Sequence, residues 1–598
     1  MNFSFVKRLN TEKDLTNYSK EKASKSENTA ENAPTNAIDL LELKPEQGFS
    51  INGIKEYDHF FVLGSVRGAG DINNDGFNDI ILSNPGANVE GLKQTGEVYI
   101  IFGAENIGES GNIDVNRLDG SNGFLIQGIE ESSNFGQSIS NAGDLNNDGI
   151  DDIIIGAPAS TSANEFAGRA YVIFGDADLG NSGSLDIKQL DGKNGFEIKH
   201  TEEYRLTGFS VSHAGDVNGD DIDDLVIGSP FSTSKDIAKD YVVFGRSNIG
   251  SSGVLELSDI NGENGFAIVG NKDNIPIHYV SSAGDVNGDG FDDLAIGAPT
   301  AGDSTLESYG IDSIRGESAS GKGYVIYGSE DVGKSGEFNL SSLDRSNGFT
   351  TTIDLRGGFF GRSVSSAGDV NHDGVDDVVF GGTFTGGHVV FGNRNLTIAD
   401  ELNVKNLDGK NGFSILRDDL SEQLGSSVSS AGDFNNDGID DLAIVAPNAD
   451  RGKNSDSAEG YLIFGKEDLA SSGNFELSQL ETNSSLILQN YSKSIDSYIP
   501  NFREDRSSNN AVSNLGDING DGIDDLIIGV PGGSGVLNTS NVVDSYVIFG
   551  NEQYGKDAFK VEESNSIQNN KLTEYNTFIL SVFLLPLLII LLFKCKFY

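Results

Sequence analysis

Nine residues starting at Asp285, Asp-Val-Asn-Gly-Asp-Gly-Phe-Asp-Asp, carry side-chain oxygens at positions 1, 3, 5 and 9 and a glycine at position 6. Hard oxygen donors packed this closely suit Ca²⁺, which takes about six to eight of them; position 7 can add a main-chain carbonyl. The nonapeptide occurs seven times, and its donor sets are Asp71, Asn73, Asp75, Asp79; Asp144, Asn146, Asp148, Asp152; Asp216, Asn218, Asp220, Asp224; Asp285, Asn287, Asp289, Asp293; Asp369, Asn371, Asp373, Asp377; Asp433, Asn435, Asp437, Asp441; and Asp517, Asn519, Asp521, Asp525. Asn-Gly and Asp-Gly are turn signals without any metal. A bare turn, however, does not require four oxygens in fixed register in every copy, and uncompensated carboxylates would repel.

An EF-hand would need a bidentate glutamate at position 12 and flanking helices. Position 12 is instead Leu82, Ile155, Ile227, Ile296, Phe380, Ile444 or Ile528, so position 9 must close the site. In the third loop Asp221 replaces the position-6 glycine. If φ is positive there, a side chain costs about 1 kcal/mol, which makes this loop the weakest. His372, at position 4 of the fifth loop, is expected to face solvent and to ligate nothing.

Each loop sits inside a longer unit. A short strand such as Gly123-Phe-Leu-Ile126 opens it, and Phe135-Gly-Gln-Ser-Ile-Ser-Asn-Ala-Gly143 leads into the second loop. A run that is apolar on both faces, Asp152-Ile-Ile-Ile-Gly-Ala-Pro158, follows it and reads as a buried strand. Tyr171-Val-Ile-Phe-Gly175 completes the set. Loop starts lie 64 to 84 residues apart, which suits four-stranded blades with generous loops. The fold class expected is all-β: a seven-bladed β-propeller over residues 42–550. One Gly-Phe strand precedes the first loop and none follows Gly550, so residues 48–53 are expected to close the last blade, built from 511–550. Closure of this kind removes a sheet edge.

The formal net charge is −50, and seven divalent ions would still leave −36, which argues against a nucleic-acid partner. The single cysteine, Cys595, allows no internal disulfide, so bound calcium would do the stapling.

The Phe-Gly and Gly-Ala-Pro motifs with a calcium loop between them resemble the FG-GAP repeat of the integrin alpha-subunit propeller, over about residues 42–550. That resemblance implies a metal loop joining the first two strands of each blade on the lower face, with ligands meeting the upper face. Loops in all seven blades are a departure from known integrins, which use only some.

Residues 1–41 are expected to form a disordered polar tail, and Met1–Arg8 is too poor in apolar residues for a secretory leader. Residues 551–576 read as a linker. Phe578–Phe593, within an apolar stretch spanning 577–593, reads as a single transmembrane helix of about 24 Å, short against a hydrocarbon core of about 30 Å. Lys594 and Lys596, in the tail 594–598, place its end in the cytoplasm and the propeller outside the cell.

Insertions near 300–322 and 488–510 emerge opposite the metal loops. Their Tyr309, Arg315, Tyr491, Tyr498, Phe502 and Arg503 suit contact with a protein or glycan ligand. The function expected is a calcium-binding, membrane-anchored propeller in cell adhesion or surface recognition. A structural surface or matrix component without a specific ligand is the first alternative, and an enzyme accessory or hydrolase-type propeller the second. No His-Glu-x-x-His or Gly-x-Ser-x-Gly motif is present, so no catalytic residue is assigned.

Overall fold

The computed structural model describes residues 37–54, 65–160, 167–200, 205–230, 239–270, 278–301, 319–395, 398, 400–417, 422–449, 458–469, 471, 473–477, 484–489, 512–529 and 543–556. Seven sheets, antiparallel over their four inner strands, surround one axis, and each innermost strand packs against the innermost strands of both neighbouring blades. From the axis outward, blade 1 is Val66–Gly70, Asp79–Asn84, Glu97–Ile101 and Gly123–Gln127. Blades 2 to 6 repeat this plan, with innermost strands Ile139–Gly143, Ser210–Gly215, Tyr279–Gly284, Ser363–Gly368 and Ser427–Gly432. In blade 7, Val512–Gly516, Asp525–Gly529 and Val543–Ile548 are followed outward by Gly48–Asn52, whose Gly48 lies opposite Ile548.

The blades have five strands rather than the four expected. A stretch of two or three residues leaves each unit after its third strand and pairs, in parallel, with the fourth strand of the preceding blade. Asn112–Asp114 does so on Gly48–Asn52, and Ser184–Leu185 on Gly123–Gln127. Neighbouring units are therefore hooked together at the rim as well as packed at the axis. The N-terminal boundary also differs from the expected tail at 1–41. Ala37–Asp39 is the fifth strand of blade 6, with Ala37 opposite Ile487, and Ile38 and Leu40 are buried. Ile38 sits on that strand and Leu40 opens the 3-10 turn Leu40–Glu42 that follows it, so the apolar residues at the end of the polar stretch belong to the fold. At the other end Tyr554, expected in the linker, stacks on Phe434 with ring centroids 5.5 Å apart.

The core is seven slabs between blades. In one of them Ile81, Val98 and Ile100 of blade 1 meet Ile153, Ile155 and Tyr171 of blade 2. The two phenylalanine motifs of each unit serve the same joint. Phe102 packs on Phe124, Phe174 on Phe196, Phe244 on Phe266 and Phe391 on Phe413, at 5.7 to 5.9 Å between ring centroids. Phe549 packs on Phe49 at 5.8 Å, the same contact made across the ring closure. The glycine before each of these inner phenylalanines is sterically required: a Cβ on Gly123 would lie 2.1 Å from Ile100 O.

The segment 577–593, the lysines after it, and Tyr309, Arg315, Tyr491, Tyr498, Phe502 and Arg503 lie outside the described residues. Among the described residues no helix is long and apolar enough to cross a membrane.

Candidate metal centres

Each nonapeptide joins the first strand of its blade to the second, at one end of the propeller. A bulge in the first strand, between Ser282 and Gly284 in blade 4, turns the chain into the loop. Inside it, the position-1 carboxylate organises the turn. One oxygen accepts the position-5 N–H, as from Asp75 to Asp71 at 3.0 Å. The other accepts the position-6 N–H at 2.7 to 2.9 Å in all seven loops. The position-5 carboxylate accepts the position-7 N–H at 3.0 to 3.2 Å, again in every loop. Positive φ is needed at position 4 as well as position 6. Asn74, Asn147, His372 and Asn436 hold φ of 55 to 59°, and Asp221 holds 63°. His372 is exposed, as its position suggested.

The position-9 carboxylates, Asp79, Asp152, Asp224, Asp293, Asp377, Asp441 and Asp525, are all fully buried. One oxygen of each accepts the N–H of the glycine in the following Phe-Gly or Tyr-Gly motif, from Gly103, Gly175, Gly245, Gly328, Gly392, Gly465 and Gly550, at 2.8 or 2.9 Å. Any residue but proline could donate that N–H; glycine is needed because a Cβ would lie 2.2 or 2.3 Å from the position-8 main-chain oxygen, and sequence reasoning missed both facts. Burial is the main force raising these carboxyls, and the carboxylates at positions 5 and 1 add to it; Asp79, Asp152 and Asp525 are pushed up to about 8. The other four are also well above the usual range.

The position-3 amides close round the same point. Asn371 Nδ2 lies 3.3 Å from both oxygens of Asp377, and Asn146 Nδ2 lies 3.4 Å from both of Asp152. In the sixth loop Asn435 Oδ1 and Asp441 Oδ2 are buried with no hydrogen-bond partner. Two orphaned buried oxygens in one acidic loop call for a cation or a proton. The donor chemistry therefore fits a hard divalent ion. The side chains do not stand in a ready cage, however. Among the described residues no three His, Cys, Asp or Glu side chains converge closely enough to hold an ion. Positions 1 and 5 are turned instead towards main-chain N–H groups. In the fifth loop Arg394 donates to Gly374 O and, at 3.4 Å, to Gly288 O of the fourth loop, so a guanidinium already sits between those two sites.

Position 8, to which no role was assigned from sequence, holds the loops to one another. Asp151, Asp223, Asp292, Asp376, Asp440 and Asp524 each accept the position-1 N–H of the preceding loop at 2.8 or 2.9 Å.

The FG-GAP repeat family matches residues 65–101, 135–173, 207–245, 279–326, 424–461 and 508–547. Phosphatidylinositol-glycan-specific phospholipase D of Bos taurus is 32% identical over 215 residues, 35% of this chain and 24% of that protein. The Dictyostelium discoideum protein of the same name is 30% identical over 243 residues, 38% of this chain and 24% of that protein. Integrin alpha-4 of Xenopus laevis is 27% identical over 322 residues, 54% of this chain and 25% of that protein. The chain thus spans about a quarter of the length of the curated relatives it matches.

Proposed function

Starting from an FG-GAP repeat propeller that resembles those of integrin alpha subunits, we propose that this chain is a calcium-binding recognition module. It is anchored in a membrane by 577–593 and displayed outside the cell. The observation that carries the calcium reading is the set of seven fully buried position-9 carboxylates, each raised chiefly by burial and further by the acidic neighbours in its own loop. Burying an ionised carboxylate without a counter-charge costs several kcal/mol, as a rough scale, and bound Ca²⁺ would supply that charge. The residues at positions 1, 3, 5 and 9 would hold it.

The chain's own part is mechanical. The glycine N–H of the Phe-Gly motif orients the closing carboxylate, and the position-8 side chain passes that order to the next blade. The opposite face is thereby held still to meet a protein or glycan. Calorimetric calcium titration of the full chain, with melting in calcium and in EGTA, tests the reading. Saturable binding of several ions and a lower melting temperature in EGTA are expected; an unchanged melt would overturn it. Binding to cells or glycan arrays then separates adhesion from a purely structural surface role.

A second reading, a propeller accessory to a hydrolase, is favoured by the likeness to phosphatidylinositol-glycan-specific phospholipase D. Faster release of a glycosylphosphatidylinositol-anchored protein by such a hydrolase when the purified chain is added would establish it.

A further inference from the structure

The innermost strands form the wall around the propeller axis. Four residues ahead of each metal loop this wall carries serine in six blades, at Ser140, Ser212, Ser281, Ser365, Ser429 and Ser513, all buried. In blade 1 the same place holds Arg67. Strand alternation decides where its side chain goes. Val66 packs with Leu515 and Ile518 of blade 7, whereas Ala69 packs with Ile139 and Ile155 of blade 2. Arg67 therefore leaves the strand on the side of blade 2. One edge of Val66–Gly70 is bonded to Asp79–Asn84, and both faces are covered by neighbouring blades. The remaining edge is the axis, so the partial exposure of Arg67 opens there.

This guanidinium is poorly provided for. Its Nε is buried with no hydrogen-bond partner, and among the described residues no carboxylate pairs with it. Burial alone lowers its pKa to about 10, with no acidic neighbour acting against that. Two other partly buried arginines are held by acids: Arg169 by Glu130 and Glu197, and Arg417 by Glu422 and Glu459. The position-8 carboxylates do not fill the gap, because they sit at the metal-loop end. Four residues of strand put Arg67 about 13 Å before Asp71 along the axis. Among the described residues Arg246 and Arg394 also lack an acid but donate to main-chain carbonyls, whereas the buried Nε of Arg67 has no hydrogen-bond partner at all.

We propose that Arg67 anchors a small-oxyanion site on the propeller axis, in the half away from the metal loops. A guanidinium grips such a group through paired N–H···O bonds. The site does not depend on whether the opposite face recognises a ligand or on whether the loops bind calcium.

The test uses the full chain, labelled with ¹⁵N-arginine and titrated separately with sodium sulfate and sodium acetate at ionic strength balanced by chloride. One arginine Nε–H resonance, missing from the spectrum of Arg67→Ser, is expected to shift saturably. A response to sulfate alone identifies a tetrahedral oxyanion, and a response to acetate a carboxylate. Arg67→Ser installs the side chain of the other six blades and should lose binding. Arg67→Lys keeps the charge but not the paired bonds and should bind at least about tenfold more weakly. It carries the comparison if the serine variant does not fold. Absence of a saturable shift with either anion, or equal affinity in wild type and a folded variant, would overturn the proposal.

Discussion

The main-chain N–H of Asp71 donates to Asp151 Oδ2 at 2.9 Å, so the opening residue of the first metal loop is held by a side chain of the second. Five more such bonds run round the ring, from Asp144 to Asp223, Asp216 to Asp292, Asp285 to Asp376, Asp369 to Asp440 and Asp433 to Asp524. The seventh place is taken by Asn78, whose own N–H donates to Asp517 O at 3.1 Å. Burial and neighbouring carboxylates raise Asp151, Asp292, Asp376, Asp440 and Asp524. Burial also acts on Asp223, but His213 Nε2 at 2.9 Å outweighs it and holds that carboxyl low.

If these clamps carry load, Asp292→Ala removes a hydrogen bond to a charged acceptor and leaves the N–H of Asp216 unpaired. That should cost about 1.5–3 kcal/mol. Asp292→Asn should cost less, since the first loop works with an amide at this place. Urea unfolding at saturating calcium measures both. Equal midpoints for wild type and the alanine variant would show that the blades do not rely on the clamp.

The sixth loop offers a sharper test of the metal reading. In Asp441→Asn the amide oxygen can still accept from Gly465 N, which now lies 2.9 Å from Asp441 Oδ1. The new NH₂ would lie at the orphaned Asp441 Oδ2, with the orphaned Asn435 Oδ1 in the same loop as a possible acceptor. The variant should therefore melt higher than wild type in EGTA and gain less from calcium, so that the two proteins exchange rank between the two conditions. A uniform shift of the same sign in both would mean that Asp441 is structural only.

How much of this could be read in advance follows from what is local. The spacing of Asp285, Asn287, Asp289 and Asp293 states a turn and a donor set within nine residues. The unpaired Gly-Phe strand at Gly48 points to a blade lacking one, and Gly48–Asn52 does lie on Val543–Ile548. What stayed hidden belongs to the ring rather than to the repeat. Ser184–Leu185 is two residues long and its partner lies in another blade, so no periodicity marks it as a strand. Asp151 looks like one more acidic residue beside Asp152, and only the approach of the preceding loop gives it an N–H to accept. Arg67 carries a legible signal, six serines against one arginine, which becomes visible once the innermost strands are aligned on the loops.

The N-terminal segment crosses two blades, so its removal should act in two steps. Deleting residues 1–47 takes away the parallel strand on Ser485–Gln489 and the buried Ile38 and Leu40. Deleting 1–55 also removes Gly48–Asn52, including the fully buried Phe49, and opens the ring. Loss of a buried phenylalanine alone costs about 3–5 kcal/mol. Melting temperature should fall, and the rate of limited proteolysis should rise, modestly in the first variant and sharply in the second. A second deletion as stable as the first would contradict closure by that strand.

His388 should give the propeller an acid-sensitive step unrelated to metal. Six blades have tyrosine where blade 5 has His388, and the larger Phe380 opposite it takes up the missing volume. The ring is buried, with Nδ1 2.8 Å from Ser414 Oγ and Nε2 without a partner. Burial, aided by the charge of Lys405 and opposed by a main-chain bond at Thr385, lowers its pKa from 6.5 to about 4. Between those values the unfolded chain binds the proton and the folded chain does not. The stability it contributes is therefore complete above pH 6.5 and is lost as pH falls towards 4, by up to about 3 kcal/mol. His388→Gln keeps a partner for Ser414 and has nothing to titrate. The difference in unfolding free energy between the two proteins should change steadily from pH 7 to pH 4.5, with wild type losing ground on acidification. A difference that stays flat over that range would mean that His388 takes up its proton in the folded ring as readily as in the unfolded chain.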